Sequence, residues 1–478
     1  MNFLSYKLSL VKEHLSIKVL IGVTLFLLLY QYGLYSALAL GLLILLVTHN
    51  HKLLINFSLI LYVVFVGDIN EQMRTAVHVF NSFSLSYLLF NRFGFHISQY
   101  PKISKEVSIF ILLLIGVMVI TSVASNHIVV GLLTTVKVLY FFIVVYFFYS
   151  LITSQRDLLN YFISLVIAGI ILSLSAVMTL LENGLDLVGL VGNEFRTGGF
   201  VNNVNALSII FAVLFPILII RYIYAFSRLE KRLILLVILI LASGLFVTLS
   251  RSTALSIVIS TLYLFYHYKK KIFFYFVLII TLVFLLVVLI DPIQQIFLTL
   301  FRLEQGLSNR DNIWTLSWMM FQDNFLFGVG PGAWGFEEFN YFPIALNSFY
   351  GREIVDLYRL TNGFNCSHNF YLIFATDMGL LGLIVALLLP LIFFLITFRV
   401  NKKVKKLLPN LYWLPIGINA MGVGMFVRGF FEGLGLITFG RVSVDIPFWI
   451  MFMILIFLDK NIELCLVNLS IKKNTFIS

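Results

Sequence analysis

The chain has 478 residues, of which 60% are hydrophobic and 12% are charged, and its formal net charge is +11. Soluble domains carry about 25% charged residues, so this composition excludes an ordinary water-soluble protein. The positive charge does not indicate nucleic-acid binding, because the basic residues are concentrated in short segments between apolar stretches, as in the cytoplasmic loops of membrane proteins.

Apolar stretches of membrane-spanning length recur along the whole chain. They predict an all-α, polytopic integral membrane protein with about 12–14 transmembrane helices, since the third and fourth stretches are short or polar. No linker or fixed-period repeat interrupts them, so we expect a single membrane domain over residues 1–478. The stretches are 17–32, 34–48, 53–67, 74–90, 107–124, 128–150, 158–181, 204–224, 232–249, 252–267, 272–291, 370–398, 410–428 and 443–459.

The distribution of lysine predicts the orientation. With the N-terminus in the cytoplasm, the large clusters Lys269–Lys271 and Lys402–Lys406 both fall on the cytoplasmic side. Both termini are then cytoplasmic, and residues 292–369 form one large extracytoplasmic loop. The N-terminal segment has no recognisable cleavage site, so we expect it to be retained. Cys366 and Cys465 lie on opposite sides in this topology, which argues against a disulfide.

The extracytoplasmic side is rich in arginine rather than lysine. The bias against translocated charge does not select between the two, whereas a phosphate site does, because the planar guanidinium binds phosphate oxygens in a bidentate fork. The alternative is that these arginines pair with nearby acidic residues such as Glu337, Glu338 and Asp356.

Two short motifs precede the loop. FRTGGFVNNVNALS, residues 195–208, combines a glycine turn, asparagines that can cap a helix, and Arg196 beside the helix N-terminus, which is an anion site in principle. TLSRSTALS, residues 248–256, places Arg251 at the outer interface, where a charged residue tends to face a cavity or a partner. Snorkelling of Arg251 to lipid headgroups is the alternative.

The loop itself carries the densest set of polar motifs. Capping-box-like spacing predicts a helix that begins at Asn309 and ends at Asp323–Asn324, with Arg310 in its first turn and an apolar surface suited to the outer headgroup region. Gly328–Gly332 (GVGPG) predicts a rigid double turn. His368 and its neighbours then lead into the next span.

These motifs, in this order, resemble the O-antigen ligase and O-antigen polymerase superfamily. The resemblance covers about residues 190–385, with three departures: Phe325 and Val204 stand where proline is common, and Asp377 replaces the commoner glutamate. The matching segments are Arg196-Thr-Gly-Gly-Phe200 with Asn205, Ser250-Arg251-Ser252, Arg310-Asp-Asn-Ile-Trp314 with Phe325-Leu-Phe-Gly-Val-Gly330, and His368-Asn-Phe-Tyr-Leu372 with Asp377-Met-Gly379-Leu-Leu-Gly382.

The resemblance implies a metal-independent glycosyltransferase without cofactor, in the bacterial inner (plasma) membrane. Its donor would be an undecaprenyl-pyrophosphate-linked glycan, and its acceptor another glycan or lipid A–core. Membrane lipids, a chain-length regulator and a flippase are the further partners it implies, with no nucleic acid. The pyrophosphate is a concentrated negative charge, and the expected cations are Arg196, Arg251 and Arg310.

A general base helps the acceptor hydroxyl to attack, and histidine is the natural one near neutral pH. Of the eight histidines, only His368 falls in the outer loop beside a span. A structural role for His368, capping the helix together with Asn369, remains open. We expect Asn205, Asn369 and Asp377 to bind or orient the acceptor.

The motifs do not separate a repeat-unit polymerase from a ligase, and the number of predicted spans slightly favours the polymerase. A flippase or transporter is a third reading, since many spans and buried charges suit it as well. The sequence, however, has no recognisable paired broken helices or matching halves, and its distinctive residues gather on one side of the membrane.

Overall fold

The computed structural model describes residues 51–65, 71–94, 96, 99–184, 197–201, 203–291, 294–295, 298, 310–346, 366–439 and 441–466. Within these ranges the chain is helical and no residue is in a β-strand. A helix occupies every predicted apolar stretch from 53–67 onward, and the stretches 17–32 and 34–48 lie outside the described residues.

The helices are numbered in chain order. They are α1 His51–Val64, α2 Glu71–Phe93, α3 Lys105–Ala124, α4 Ile128–Ser150, α5 Gln155–Glu182, α6 Val204–Ile223, α7 Arg228–Thr248, α8 Arg251–Tyr268, α9 Lys270–Leu289, α10 Arg310–Asp323, α11 Trp334–Leu346, α12 Phe370–Leu407, α13 Trp413–Arg428 and α14 Val442–Lys460. Eight of those described are long and apolar enough to cross a membrane, namely α3, α4, α5, α6, α7, α9, α12 and α14. The all-α, polytopic membrane fold is therefore confirmed.

Burial separates the central helices from the peripheral ones. The apolar window of α14 is wholly buried and that of α6 is 78% buried, whereas only 6% of the α9 window is buried. Phe274 and Leu289 on α9 are 70% and 74% exposed. A helix that is apolar all round and exposed suits a lipid environment, so we assign α9 to the periphery of the bundle.

One end of the bundle is held together by ion pairs. Arg399, near the C-terminal end of α12, contacts Asp459 of α14 at 3.0 Å, and Lys403 contacts the same carboxylate at 2.9 Å. These pairs fasten the lysine-rich end of α12 to α14. His368 lies just before the opposite end of α12.

Candidate functional site

The loop helix α10 presents one face to the segment that carries His368. Arg310 Nη2 lies 3.4 Å from Glu432 Oε2, and the Trp314 indole N–H donates to the Ser367 carbonyl at 2.9 Å. Residues four apart lie on the same face of a helix, so the spacing of Arg310 and Trp314 lets α10 contact both sides of this site at once.

His368 occupies a backbone position that few residues adopt. Its φ is +48°, in the left-handed region, and its Nδ1 lies 3.2 Å from Glu432 Oε1. Asn369 follows as the N-cap of α12, with its Oδ1 accepting the Leu372 N–H at 3.0 Å, and the Phe370 N–H donates to the Gly429 carbonyl at 2.7 Å. The cap and this backbone bond fix the chain directly after His368.

Glu432 lies in the segment between α13 and α14, outside the helices, and its side chain is fully buried. Burial raises the pKa of its carboxyl, but the hydrogen bond and charge of His368 and the charges of Arg428 and Arg310 outweigh burial and lower this pKa to about 2. The carboxylate is therefore ionised at neutral pH and can only accept hydrogen bonds. His368 Nδ1 must then donate to it, which leaves Nε2 as the proton-accepting nitrogen in the neutral ring.

Arg428 connects this site to both upstream motifs. It is 1% exposed and ends α13. Its Nη2 donates to the Asn205 carbonyl at 3.0 Å, its Nη1 to the Leu434 carbonyl at 2.6 Å, and its Nε to the Thr253 hydroxyl at 3.3 Å. Because all three nitrogens bind protein atoms, Arg428 holds the N-terminal turns of α6 and α8 against the segment that carries Glu432.

Arg251 adds a further positive charge. It is the first residue of α8, and its charge lies close enough to Arg310 for the two to interact. Within the described residues, Arg310 and Arg428 thus act on the Glu432 carboxylate and Arg251 lies near Arg310, so guanidinium groups outnumber carboxylates in this cluster. A surplus of arginine at a helix terminus is the electrostatic environment that a phosphate group requires.

The glycine-rich turn docks into a break in α12. At Gly379 the backbone is non-helical, with φ 64° and ψ −154°. The Val329 N–H donates to the Thr376 carbonyl and the Gly330 N–H to the Asp377 carbonyl, both at 2.9 Å. The loop thereby satisfies carbonyls that a broken membrane helix would otherwise leave unpaired. The sequence analysis did not predict this break.

Comparison with protein families gives one match to this part of the chain. Residues 234–387 match the family model described as O-antigen ligase. The match covers about a third of the chain. This finding confirms the resemblance to the O-antigen ligase and polymerase superfamily. The comparison with curated proteins gave no match.

The matched segment contains some of the expected site residues and not others. Arg251, Arg310 and His368 lie inside the matched range, and the structure brings them together. Glu432, Arg428 and Asn205 lie outside it and complete the same cluster. Arg196 lies outside the described residues. In the part of the chain that the structure describes, no three His, Cys, Asp or Glu side chains are grouped so that they could hold a metal ion.

The residues expected to bind or orient the acceptor each contact a different part of the protein. Asn205 supplies its backbone carbonyl to Arg428, and Asn369 caps α12. Asp377 is 2% exposed, and its Oδ2 accepts the Gly332 N–H at 2.7 Å. These contacts give all three residues a role in positioning the segments around the site, and their direct contact with an acceptor stays a prediction.

Glu432 is the residue that the sequence analysis missed. It lies in the short apolar segment FFEGLG after α13, far from the motifs of the superfamily. A signal was available, because Arg428 and Glu432 are the only charged residues between positions 407 and 440, and charges in so apolar a region are costly and tend to be functional.

Proposed function

We propose that this protein is a membrane glycosyltransferase that joins undecaprenyl-pyrophosphate-linked oligosaccharide units at the outer face of the bacterial inner membrane, as a repeat-unit polymerase. The observation that carries the proposal is the contact of His368 with the buried, ionised Glu432, in a cluster where arginine is in surplus. The match of residues 234–387 to the O-antigen ligase family model supports the same class of reaction.

His368 is the general base in this proposal. A carboxylate that accepts from Nδ1 orients the ring and stabilises the imidazolium that forms, which is the logic of histidine bases in other transferases and hydrolases. Nε2 takes the proton of the acceptor hydroxyl while the hydroxyl oxygen forms a bond to the anomeric carbon of the donor. The side chain of His368 is 36% exposed, so a substrate can reach the ring.

The arginines receive the leaving group. The bond between the anomeric carbon and the pyrophosphate oxygen breaks, and its electron pair leaves with the lipid pyrophosphate. Arg310 and Arg251 stabilise the negative charge that grows on this oxygen. Arg310 also contacts Glu432, so the same carboxylate positions the base and one of the cations. Arg196 is a further candidate for the pyrophosphate.

The orientation of α12 supports a reaction on the extracytoplasmic side of the membrane. The helix starts next to His368 and ends in a segment with Lys402, Lys403, Lys405 and Lys406. Lysine-rich ends of membrane helices are retained in the cytoplasm. His368 would then face the outer side, where lipid-linked glycans are exposed for polymerisation or ligation.

Replacement of His368 tests the proposal. With purified full-length protein and a defined undecaprenyl-pyrophosphate glycan, we expect His368→Gln to lower the transfer rate by about 10²- to 10⁴-fold, because a positioned base is lost. Donor binding should persist, since the arginines remain. His267→Gln is the matched control, because His267 lies at the far end of α8. Near-normal transfer by His368→Gln would show that the ring is structural.

Ligase activity, with lipid A–core as the acceptor, is the second candidate, and the description of the matched family favours it. Glycans from a deletion strain separate the two. Single repeat units attached to the cell-surface acceptor would indicate that a polymerase is missing. Long polymer retained on the lipid carrier would indicate that a ligase is missing and would overturn the polymerase assignment.

A further inference from the structure

A polar cavity lies away from the His368 cluster, where the loop meets the turn between α3 and α4. Its volume is about 310 Å³. The turn forms one wall, and the end of α10 with the first turns of α11 forms the other. The lining residues are Ala124, Ser125, Asn126, Asp323, Asn324, Gly328, Val329, Glu337, Asn340 and Tyr341.

The lining offers hydrogen-bond donors and acceptors in a fixed arrangement. The Asn340 amide donates to Glu337 Oε2 at 2.6 Å, and the Asn324 amide donates to the Tyr341 hydroxyl at 3.0 Å. His127 Nε2, next to the turn, lies 2.8 Å from Glu337 Oε1. Side-chain amides and carboxylates held in this way are suited to the vicinal hydroxyls of a sugar, each of which both donates and accepts.

The charge of the cavity restricts what it can bind. Asp323 and Glu337 contribute carboxylates, and the lining residues that the structure describes include neither Lys nor Arg. A ligand with its own carboxylate would be repelled, whereas neutral hydroxyls or an amino group would be attracted. Phe336 is 59% exposed and lies beside the His127 ring, with centroids 5.4 Å apart and ring planes tilted by 32°, and gives a nearby apolar face for the C–H side of a sugar.

The position of the cavity relates it to the reaction centre. Arg310 starts α10 and contacts Glu432, while Asp323 ends α10 and lines the cavity. At a rise of about 1.5 Å per residue, the two ends of this helix are about 20 Å apart. Gly328 and Val329, which line the cavity, also belong to the turn that docks into the break of α12. An oligosaccharide of a few residues could therefore extend from the reaction centre to the cavity.

We infer that this cavity is a saccharide subsite that binds a neutral or amino-bearing sugar residue of the glycan, at a distance from the bond that is made or broken, and that excludes uronic acids. Its role in transfer rests on the proposed function, but its ability to bind sugars does not. It would select glycans by the chemistry of a sugar remote from the reacting carbon.

Direct binding tests the inference without any transfer reaction. Full-length protein in lipid nanodiscs, free of sugar-based detergent, would be examined by saturation-transfer NMR with chitotriose, glucosamine trimer and trigalacturonate. We expect saturation transfer from the protein to chitotriose and to glucosamine trimer, and none to trigalacturonate. Asn340→Ala should weaken chitotriose binding by about 2- to 10-fold, because one hydrogen bond to the ligand is worth about 0.5–1.5 kcal/mol.

The fold of the test variant and a control variant decide the outcome. Asn340 is exposed, so its replacement should fold normally, and Asn183→Ala, at the exposed C-terminal end of α5, should leave binding unchanged. Equal saturation of trigalacturonate, absence of saturation with every probe, or unchanged binding by Asn340→Ala would each overturn the subsite. Sugar binding with no transfer by wild-type protein would instead overturn the proposed function and leave the subsite in place.

Discussion

Two buried carboxylates lie near the same end of α12, and their surroundings differ. The Glu432 side chain is fully buried among His368, Arg310 and Arg428. Asp377 is 2% exposed, and its Oδ2 accepts the backbone N–H of Gly332, while its Oδ1 has no hydrogen-bond partner among the described residues. One carboxylate is surrounded by cations and the other is bonded to the backbone of a turn.

Under the proposed function, this difference assigns Glu432 to the reaction centre and Asp377 to a supporting position. An ionised carboxylate that is buried must be balanced by positive charge, and removing it leaves its partners uncompensated. A carboxylate that accepts from a turn N–H holds that turn in place, and an uncharged acceptor can replace it. We therefore assign Glu432 to the chemistry and Asp377 to the docking of the glycine-rich turn.

The largest expected effect is that of Glu432→Gln on transfer. The neutral amide cannot stabilise the imidazolium of His368 and leaves the buried charge of Arg428 without its counter-charge. We expect transfer to fall by about 10²- to 10⁴-fold, similar to loss of the base itself. Initial rates of purified protein with a lipid-linked glycan measure this effect.

A double replacement distinguishes positioning from general damage. If Glu432 acts through His368, Glu432→Gln combined with His368→Gln should be little slower than either single variant, because residues that act as a unit give non-additive effects. Multiplication of the two losses in the double variant would contradict the assignment.

Stability should depend on pH through Glu432. Its carboxyl pKa is lowered from 4.5 to about 2 by the folded structure. A lowered pKa means that the stabilisation is fully present above pH 4.5 and is lost as the pH falls toward 2. We expect the difference in thermal unfolding temperature between wild type and Glu432→Gln to shrink between pH 5 and pH 3. A difference that stays constant over this window would contradict an ionised Glu432 in the folded protein.

Arg310→Lys should have the next largest effect on transfer. Lysine keeps the positive charge but loses the planar fork that can bind Glu432 and a phosphate oxygen together. Loss of one charge-assisted hydrogen bond, about 1.5–3 kcal/mol, corresponds to a decrease of about 10- to 150-fold. Arg228→Lys, at the opposite end of the bundle, is the control. Wild-type rates for Arg310→Lys would rule out bidentate binding at this position.

The docking of the turn can be broken at Gly328. Its φ is +67°, and an added Cβ would lie 2.4 Å from the Asp377 carbonyl carbon. We expect Gly328→Ala to destabilise the protein by at least about 1–2 kcal/mol, measured as a lower thermal unfolding temperature. Gly116→Ala is the matched control, because no atom lies within 4 Å of its added Cβ. Equal stability of both variants would mean that the turn is not held against α12.

The fold and part of the site were predictable from the sequence. Apolar length and capping patterns depend on neighbouring residues, so the helices of the apolar stretches could be assigned from 53–67 onward, and the loop helix α10 ends at Asp323 as predicted, whereas α11 was not predicted. The grouping of Arg251, Arg310 and His368 was predictable from motif order and from the shared side of the membrane. Local patterns were sufficient for these features.

Two features could not be read from local patterns. The contact of Glu432 with His368 joins residues 64 positions apart and that of Arg428 with Asn205 joins residues 223 positions apart, and no short motif encodes such contacts. The break at Gly379 is stabilised by the backbone of a turn some fifty residues earlier, so a glycine in an apolar run resembles an ordinary helix residue until the docking turn is known.

Asp377→Asn gives the smallest expected effect and tests the comparison directly. The asparagine side-chain oxygen can still accept the Gly332 N–H, so the turn should stay docked. The asparagine NH2 group replaces Oδ1, which has no partner among the described residues, so a polar group stays buried without a hydrogen bond. We expect the free energy of unfolding to fall by about 1 kcal/mol. Transfer by the folded protein should stay within a few-fold of wild type. A loss of transfer as large as that of Glu432→Gln would assign the chemistry to Asp377 and overturn the division between the two carboxylates.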